Sequence, residues 1–113
     1  MIQVYHNNRC GKSREAVKQL EESGKEFQII KYLENPPTFE ELNVLLQKLN
    51  YKPLELVRQK ESLWIEKFKG KNLTDDEIVK ALSENPILIE RPIVILGDKA
   101  IVARPPEKLN DFI

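Results

Sequence analysis

The run Pro92-Ile93-Val94-Ile95-Leu96-Gly97-Asp98-Lys99-Ala100-Ile101-Val102-Ala103 constrains the fold more than any other stretch. Two apolar, β-branched segments flank Gly97-Asp98, a two-residue connection of the kind that closes a tight β-hairpin. The other end of the chain also reads as strand. Ile2-Gln3-Val4-Tyr5 is short and alternating, and His6 to Lys12 is a polar loop that carries Gly11. From Ser13 the spacing turns helical, with Ala16, Val17 and Leu20 on one face and Gly24 placed to end the helix in a left-handed cap. Phe27 to Leu33 is the second strand. Two strands joined by a helix of this length favour a parallel pair with a right-handed crossover.

The middle is helical, from about Thr38 to Glu84. Asn35-Pro36-Pro37 stops the second strand, and Thr38 with Glu41 forms a capping box that opens a helix with Leu42, Leu45, Leu46 and Leu49 on its apolar face. Asn50 to Pro53 breaks it, and Leu54 to Phe68 reads as one or two shorter helices. Thr74 with Glu77 is a second capping box, ahead of Ile78, Val79 and Leu82, and Asn85-Pro86 is the exit. After the hairpin, Arg104-Pro105-Pro106 leads into a last helix, Glu107 to Phe112, with proline near its first turn. The layout is βαβ, a helical insert, then ββα. It suits an α/β sandwich whose four-stranded sheet mixes parallel and antiparallel pairs. One domain over residues 1–113 is expected, with a core of about 1–33 and 86–113 and a helical insert of about 38–84.

Composition narrows the function classes. Eighteen basic residues balance eighteen acidic ones in 113 residues, so nothing supports bulk binding to nucleic acid or a membrane surface. No signal peptide is expected, no bilayer-length apolar run is present, and a single cysteine makes neither an internal disulfide nor a Cys-based zinc site. No His, Asp and Glu cluster has metal-ligand spacing. A cytoplasmic monomer without a bound cofactor or metal is expected.

Cys10 is the first chemical candidate. It stands where the polar loop meets the first helix, facing unpaired backbone N–H groups and the positive end of the helix dipole, both of which favour a thiolate. Arg9, Lys12 and Arg14 add charge nearby, and His6 is close in sequence. A free cysteine is often a small buried hydrophobe, but Asn7-Asn8-Arg9-Cys10-Gly11-Lys12 is not a core sequence. Gly11-Lys12-Ser13 is not a P-loop, since the leading glycine would fall at His6. A C-x5-R phosphatase loop would need arginine at Ala16, and a C-x-x-C pair fails at Ser13. His6 either tunes the cysteine or makes an ordinary loop hydrogen bond. Leu63, Trp64 and Phe68 read as a packing stripe, and Lys67-Phe68-Lys69-Gly70-Lys71 as a solvated basic run.

Arginine placement is the second signal. The thirteen lysines are scattered, whereas the five arginines sit beside Cys10 or next to apolar segments, at Arg9, Arg14, Arg58, Arg91 and Arg104. Arginine's rigid fork of donors suits tetrahedral or carboxylate oxyanions, although for any one of them an ordinary surface ion pair is the default.

The segments Tyr5-His6-Asn7-Asn8-Arg9-Cys10-Gly11-Lys12-Ser13-Arg14, Tyr32-Leu33-Glu34-Asn35-Pro36-Pro37-Thr38, Arg58-Gln59-Lys60, Asn85-Pro86-Ile87-Leu88-Ile89-Glu90-Arg91-Pro92 and Arg104-Pro105-Pro106-Glu107 resemble the glutaredoxin-coupled arsenate reductase family in order and spacing. The resemblance extends over essentially the whole chain. An end at Ile113 matches the family's short chromosomal-type members. The resemblance implies a thioredoxin-like fold with a helical insertion, with Cys10 as nucleophile and Arg58, Arg91 and Arg104 as the oxyanion-binding triad. It gives His6, Ser13, Arg14 and Pro92 supporting roles and implies a cis peptide at Arg91-Pro92. The implied reaction is reduction of arsenate to arsenite, with glutathione as external thiol and glutaredoxin as partner. Two alternatives share the fold: an Spx-like regulator that binds RNA polymerase, and a general thiol–disulfide or deglutathionylating oxidoreductase. Such regulators commonly carry a C-x-x-C switch, and here the second position is Ser13.

Overall fold

The computed structural model describes every residue of the chain except Pro106. It divides into two compact units, Met1–Asn35 with Arg91–Ile113, and Pro36–Glu90.

The first unit carries the sheet. Strands β1 (Ile2–Tyr5), β2 (Phe27–Ile30), β3 (Ile93–Leu96) and β4 (Lys99–Val102) lie in the order β2-β1-β3-β4. β1 runs parallel to β2 and antiparallel to β3, and β3 pairs antiparallel with β4. This is the mixed four-stranded sheet expected from the order of elements. Leu96 pairs with Lys99, so Gly97-Asp98 is the hairpin's two-residue loop, and Gly97 adopts the left-handed φ of 63° that such a turn requires.

Helix α1 (Gly11–Ser23) crosses from β1 to β2, and α5 (Lys108–Phe112) closes the chain. Ile2, Val4 and Val94 share one face of the sheet. They form a buried cluster with Ala16 and Leu20 of α1, Ala103, and Leu109 of α5. The helix ends at Gly24, whose φ of 74° matches the expected left-handed cap. The proline expected near the first turn of the last helix includes Pro106, which lies outside the described residues.

Two of the boundaries that differ from the sequence reading lie next to Cys10 and Tyr32. Helix α1 begins at Gly11 rather than Ser13, because Cys10 occupies the cap position with an extended backbone. Strand β2 stops at Ile30 rather than Leu33. There the Tyr32 N–H turns back to donate to the Ile30 carbonyl, and the tyrosine ring is fully buried instead of continuing the strand's alternation.

The second unit is helical. It holds α2 (Phe39–Leu49), α3 (Ser62–Lys67) and α4 (Asp75–Glu84), with 3₁₀ turns at Pro53–Leu56 and Pro86–Leu88. Both expected capping boxes form. The Thr38 and Thr74 hydroxyls accept from the Glu41 and Glu77 N–H groups, and each glutamate accepts in return from the threonine N–H. Leu42, Leu45, Leu46 and Leu49 of α2 are buried, as are Ile78, Val79 and Leu82 of α4, so both apolar faces read from the sequence are core. Val57 bridges to Ile89, tying the segment after the first 3₁₀ turn to the one after the second. Among the described residues no helix is long and apolar enough to cross a membrane.

Candidate active site

The sheet register assembles one end of the first unit. Tyr5, the last residue of β1, pairs with Ile93, the first of β3, and Ile93 pairs with Val102, the last of β4. The loop after β1, the residues before β3 and the residues after β4 therefore emerge at the same edge. Cys10, Arg91-Pro92 and Arg104 belong to these three segments. The Arg91–Pro92 peptide is cis, as expected, and so is Arg104–Pro105.

The loop carrying Cys10 is braced internally. The Cys10 N–H donates to the Asn7 carbonyl at 2.9 Å, and the Arg9 N–H donates to Asn7 Oδ1 at 3.0 Å, an Asx turn that keeps Asn7 largely buried. Arg14 reaches back from α1, its Nη1 donating to the Asn8 carbonyl at 3.0 Å. Arg14 thus holds the loop.

Cys10 is partly exposed at the open end of α1. The first turns of α2 and α4 contain acidic residues, whereas that of α1 contains none, so no carboxylate offsets its positive end. Burial alone would raise the thiol's pKa. A hydrogen bond from Arg91, the backbone N–H groups of Ser13 and Lys12, and the charge of Arg91 outweigh it, lowering the thiol to about 7. The effective cation is therefore Arg91, from the far end of the chain. The sequence pointed instead to Arg9, Lys12 and Arg14, whose side chains are exposed.

Arg91 is half-buried, and burial opposes its charge. Cys10 above all, with a smaller contribution from Tyr32, more than offsets this and raises its pKa. Its Nε and Nη1 atoms are buried without a hydrogen-bond partner among the described residues, as are Ser13 Oγ and His6 Nδ1. Burial, Lys31 and Arg14 lower the pKa of His6, against a backbone contact with Ser13, so its imidazole is neutral at pH 7. Pro92 is buried beside Arg91, and its carbonyl accepts from the Ala103 N–H at 2.9 Å.

The other two arginines stand differently. Arg104 is exposed just beyond β4. Arg58 belongs to the helical unit, where its Nη1 lies 2.8 Å from Glu61 Oε2 and its Nε lies 3.9 Å from Glu90 Oε1. Its charge is already balanced by carboxylates.

Sequence reasoning gave Tyr32 no role. Its ring is fully buried and stacked on Tyr5, at the end of β1 where the loop carrying Cys10 begins. A nucleophilic sulfur next to a guanidinium with unpaired donors is suited to attack on a small oxyanion held by the same arginine. Among the described residues no three His, Cys, Asp or Glu side chains group as metal ligands.

Comparison with known proteins agrees in sequence and in structure. The pattern of the ArsC family matches residues 5–112. An arsenate reductase of Neisseria meningitidis is 39% identical over 96% of this chain and 95% of its own. YfgD of Escherichia coli K12, itself uncharacterised, is 40% identical over 99% of this chain and 96% of its own. The solved structure of an arsenate reductase from Vibrio cholerae superposes with a TM-score of 0.94 at 42% identity, covering 99% of this chain and 97% of that one.

Proposed function

The chain belongs to the ArsC family and has its thioredoxin-like fold, and from that premise we propose that it reduces arsenate to arsenite by thiol chemistry at Cys10. The observation that carries the proposal is the Cys10–Arg91 pair. The cation that lowers the thiol also has two buried N–H nitrogens with no partner among the described residues. Arsenate, a tetrahedral anion, supplies acceptors for such donors. Arg104, just beyond β4 in the same unit, contributes a further donor.

The reaction proceeds in two stages. The Cys10 thiolate, present in about half of the molecules at pH 7, attacks arsenic and forms a sulfur–arsenic bond while one arsenate oxygen leaves as water. A glutathione thiolate then attacks the Cys10 sulfur. The sulfur–arsenic bond breaks with its electron pair going to arsenic, which is released as arsenite, and Cys10 is left in a mixed disulfide with glutathione. The chain has one cysteine, so it has no internal thiol to resolve that disulfide, and a glutaredoxin restores the Cys10 thiol. His6, Ser13, Arg14 and Pro92 shape the loop and the anion pocket.

The test is NADPH oxidation in an assay coupled through glutathione reductase, glutathione and glutaredoxin. Arsenate-dependent turnover by the wild type and none by Cys10→Ser is expected. Equal rates in the two would overturn the reading.

A further inference from the structure

We propose that Asn7 is a positioning residue: by accepting from the Arg9 and Cys10 N–H groups at once, it fixes the turn in which Cys10 caps α1. The proposal rests on Cys10 as the nucleophile of the reading above, and not on arsenate as its substrate.

Asn7 is buried, whereas Asn8 and Arg9, which follow it in the loop, are exposed. Its Oδ1 accepts from the Arg9 N–H at 3.0 Å, and its carbonyl accepts from the Cys10 N–H at 2.9 Å. An asparagine side chain bonded to the N–H two residues on imitates a turn of the backbone, here nested inside the turn that the main chain closes from Asn7 to Cys10. One residue earlier, the His6 N–H donates to the Ile30 carbonyl at 3.0 Å, at the end of β2. The chain is thus tied to the sheet before Asn7 and turned by Asn7 into α1.

This turn matters because Cys10 stands where a cap residue ordinarily supplies an oxygen. Cys10 has an extended backbone, with φ −96° and ψ 122°, and makes no side-chain cap bond. Its carbonyl accepts the first bond of the helix, from the Arg14 N–H at 3.0 Å, which leaves the N–H groups of Gly11, Lys12 and Ser13 without partners inside α1. Lys12 and Ser13 use theirs to help lower the Cys10 thiol. They can do so while Cys10 keeps its cap conformation, and the two turn bonds that lead into that conformation both end on Asn7. The Arg14 bond to the Asn8 carbonyl lies at the surface on a long, rotamer-rich side chain, whereas the Asn7 side chain is short and buried.

The measurement is the rate of iodoacetamide alkylation against pH. It reports on Cys10 alone, since the chain has no other cysteine. It is made on wild type, Asn7→Ala, Asn7→Gln, Asn7→Ser and Asn8→Ala, with thermal melting confirming that each is folded. Alanine removes the acceptor and glutamine carries it one methylene too far. Each is expected to move the midpoint from about 7 to about 8, which lowers the thiolate fraction at pH 7 about fivefold. Serine, whose hydroxyl accepts in the same kind of turn, should restore most of the difference. Asn8→Ala keeps the main-chain carbonyl at the exposed neighbour and should leave the midpoint at about 7. An unchanged midpoint in folded Asn7→Ala or Asn7→Gln would overturn the proposal, because a merely structural role lowers the melting temperature without moving the titration. A full shift in Asn7→Ser or in Asn8→Ala would overturn it as well. Variants that behave as expected beside a wild type that turns over no arsenate would refute the reductase and leave the role of Asn7 standing.

Discussion

Arg91 acts on the sulfur of Cys10 and helps to hold its thiol at about 7, joining the residues just ahead of β3 to the residue that opens α1. The contact exists because β1 and β3 are antiparallel neighbours, with the end of one beside the start of the other. It gives a single side chain two tasks. Arg91 stabilises the thiolate, and in the proposed reaction its Nε and Nη1, which have no partner among the described residues, are the donors for the anion.

Replacing Arg91 separates charge from geometry. Arg91→Gln should raise the Cys10 midpoint toward that of an ordinary thiol, and Arg91→Lys should raise it less, since a positive charge remains. Both should lower arsenate turnover by about a hundredfold, the typical cost of removing a preorganised oxyanion donor. The lysine variant is the sharper probe: a near-normal alkylation profile beside poor turnover means that the planar fork, not the charge, holds the anion.

Reactivity should follow pH through the thiolate. The Cys10 alkylation rate is expected to rise with a midpoint of about 7 and to level off above pH 8. Stability should follow the same ionisation. The folded state lowers this pKa below that of the unfolded thiol, so the thiolate's contribution is fully present above the unfolded value and is lost as pH falls through about 7. The melting temperature of wild type relative to Cys10→Ser should therefore rise between pH 6 and pH 9, and a flat difference would show that the thiolate is not stabilised by folding.

The helical unit should depend on its two capping boxes. Thr38→Ala and Thr74→Ala each remove a hydroxyl that accepts from the third N–H of its helix. Each is expected to cost about 1 kcal/mol in urea denaturation, with serine at the same position restoring most of it. Turnover normalised to folded protein should be little changed, because neither threonine belongs to the proposed site.

The elements were largely legible because their determinants are local. Thr38 and Glu41, Thr74 and Glu77, Gly24, and Gly97-Asp98 mark ends and turns within a few residues, and the structure has a cap or turn at each of these places. The end of β2 was not legible. Lys31-Tyr32-Leu33 continues an apolar alternation, and only the burial of the Tyr32 ring against Tyr5 explains why the strand stops at Ile30. The arginines show the same contrast. Spacing presented Arg58, Arg91 and Arg104 as equivalent, yet Arg91 contacts the sulfur, Arg104 is exposed and Arg58 is paired with two glutamates.

By itself the sequence determined the order of strands and helices, the mixed sheet that this order permits, and the presence of one cysteine at a helix start. These follow from periodicity, capping and turn chemistry, which act between near neighbours. Tertiary structure alone decided what surrounds that cysteine. Strand pairing brought Arg91 to it from the other end of the chain. Whether a thiol titrates near neutrality depends on such distances and on burial, and both are properties of the folded packing rather than of spacing along the chain.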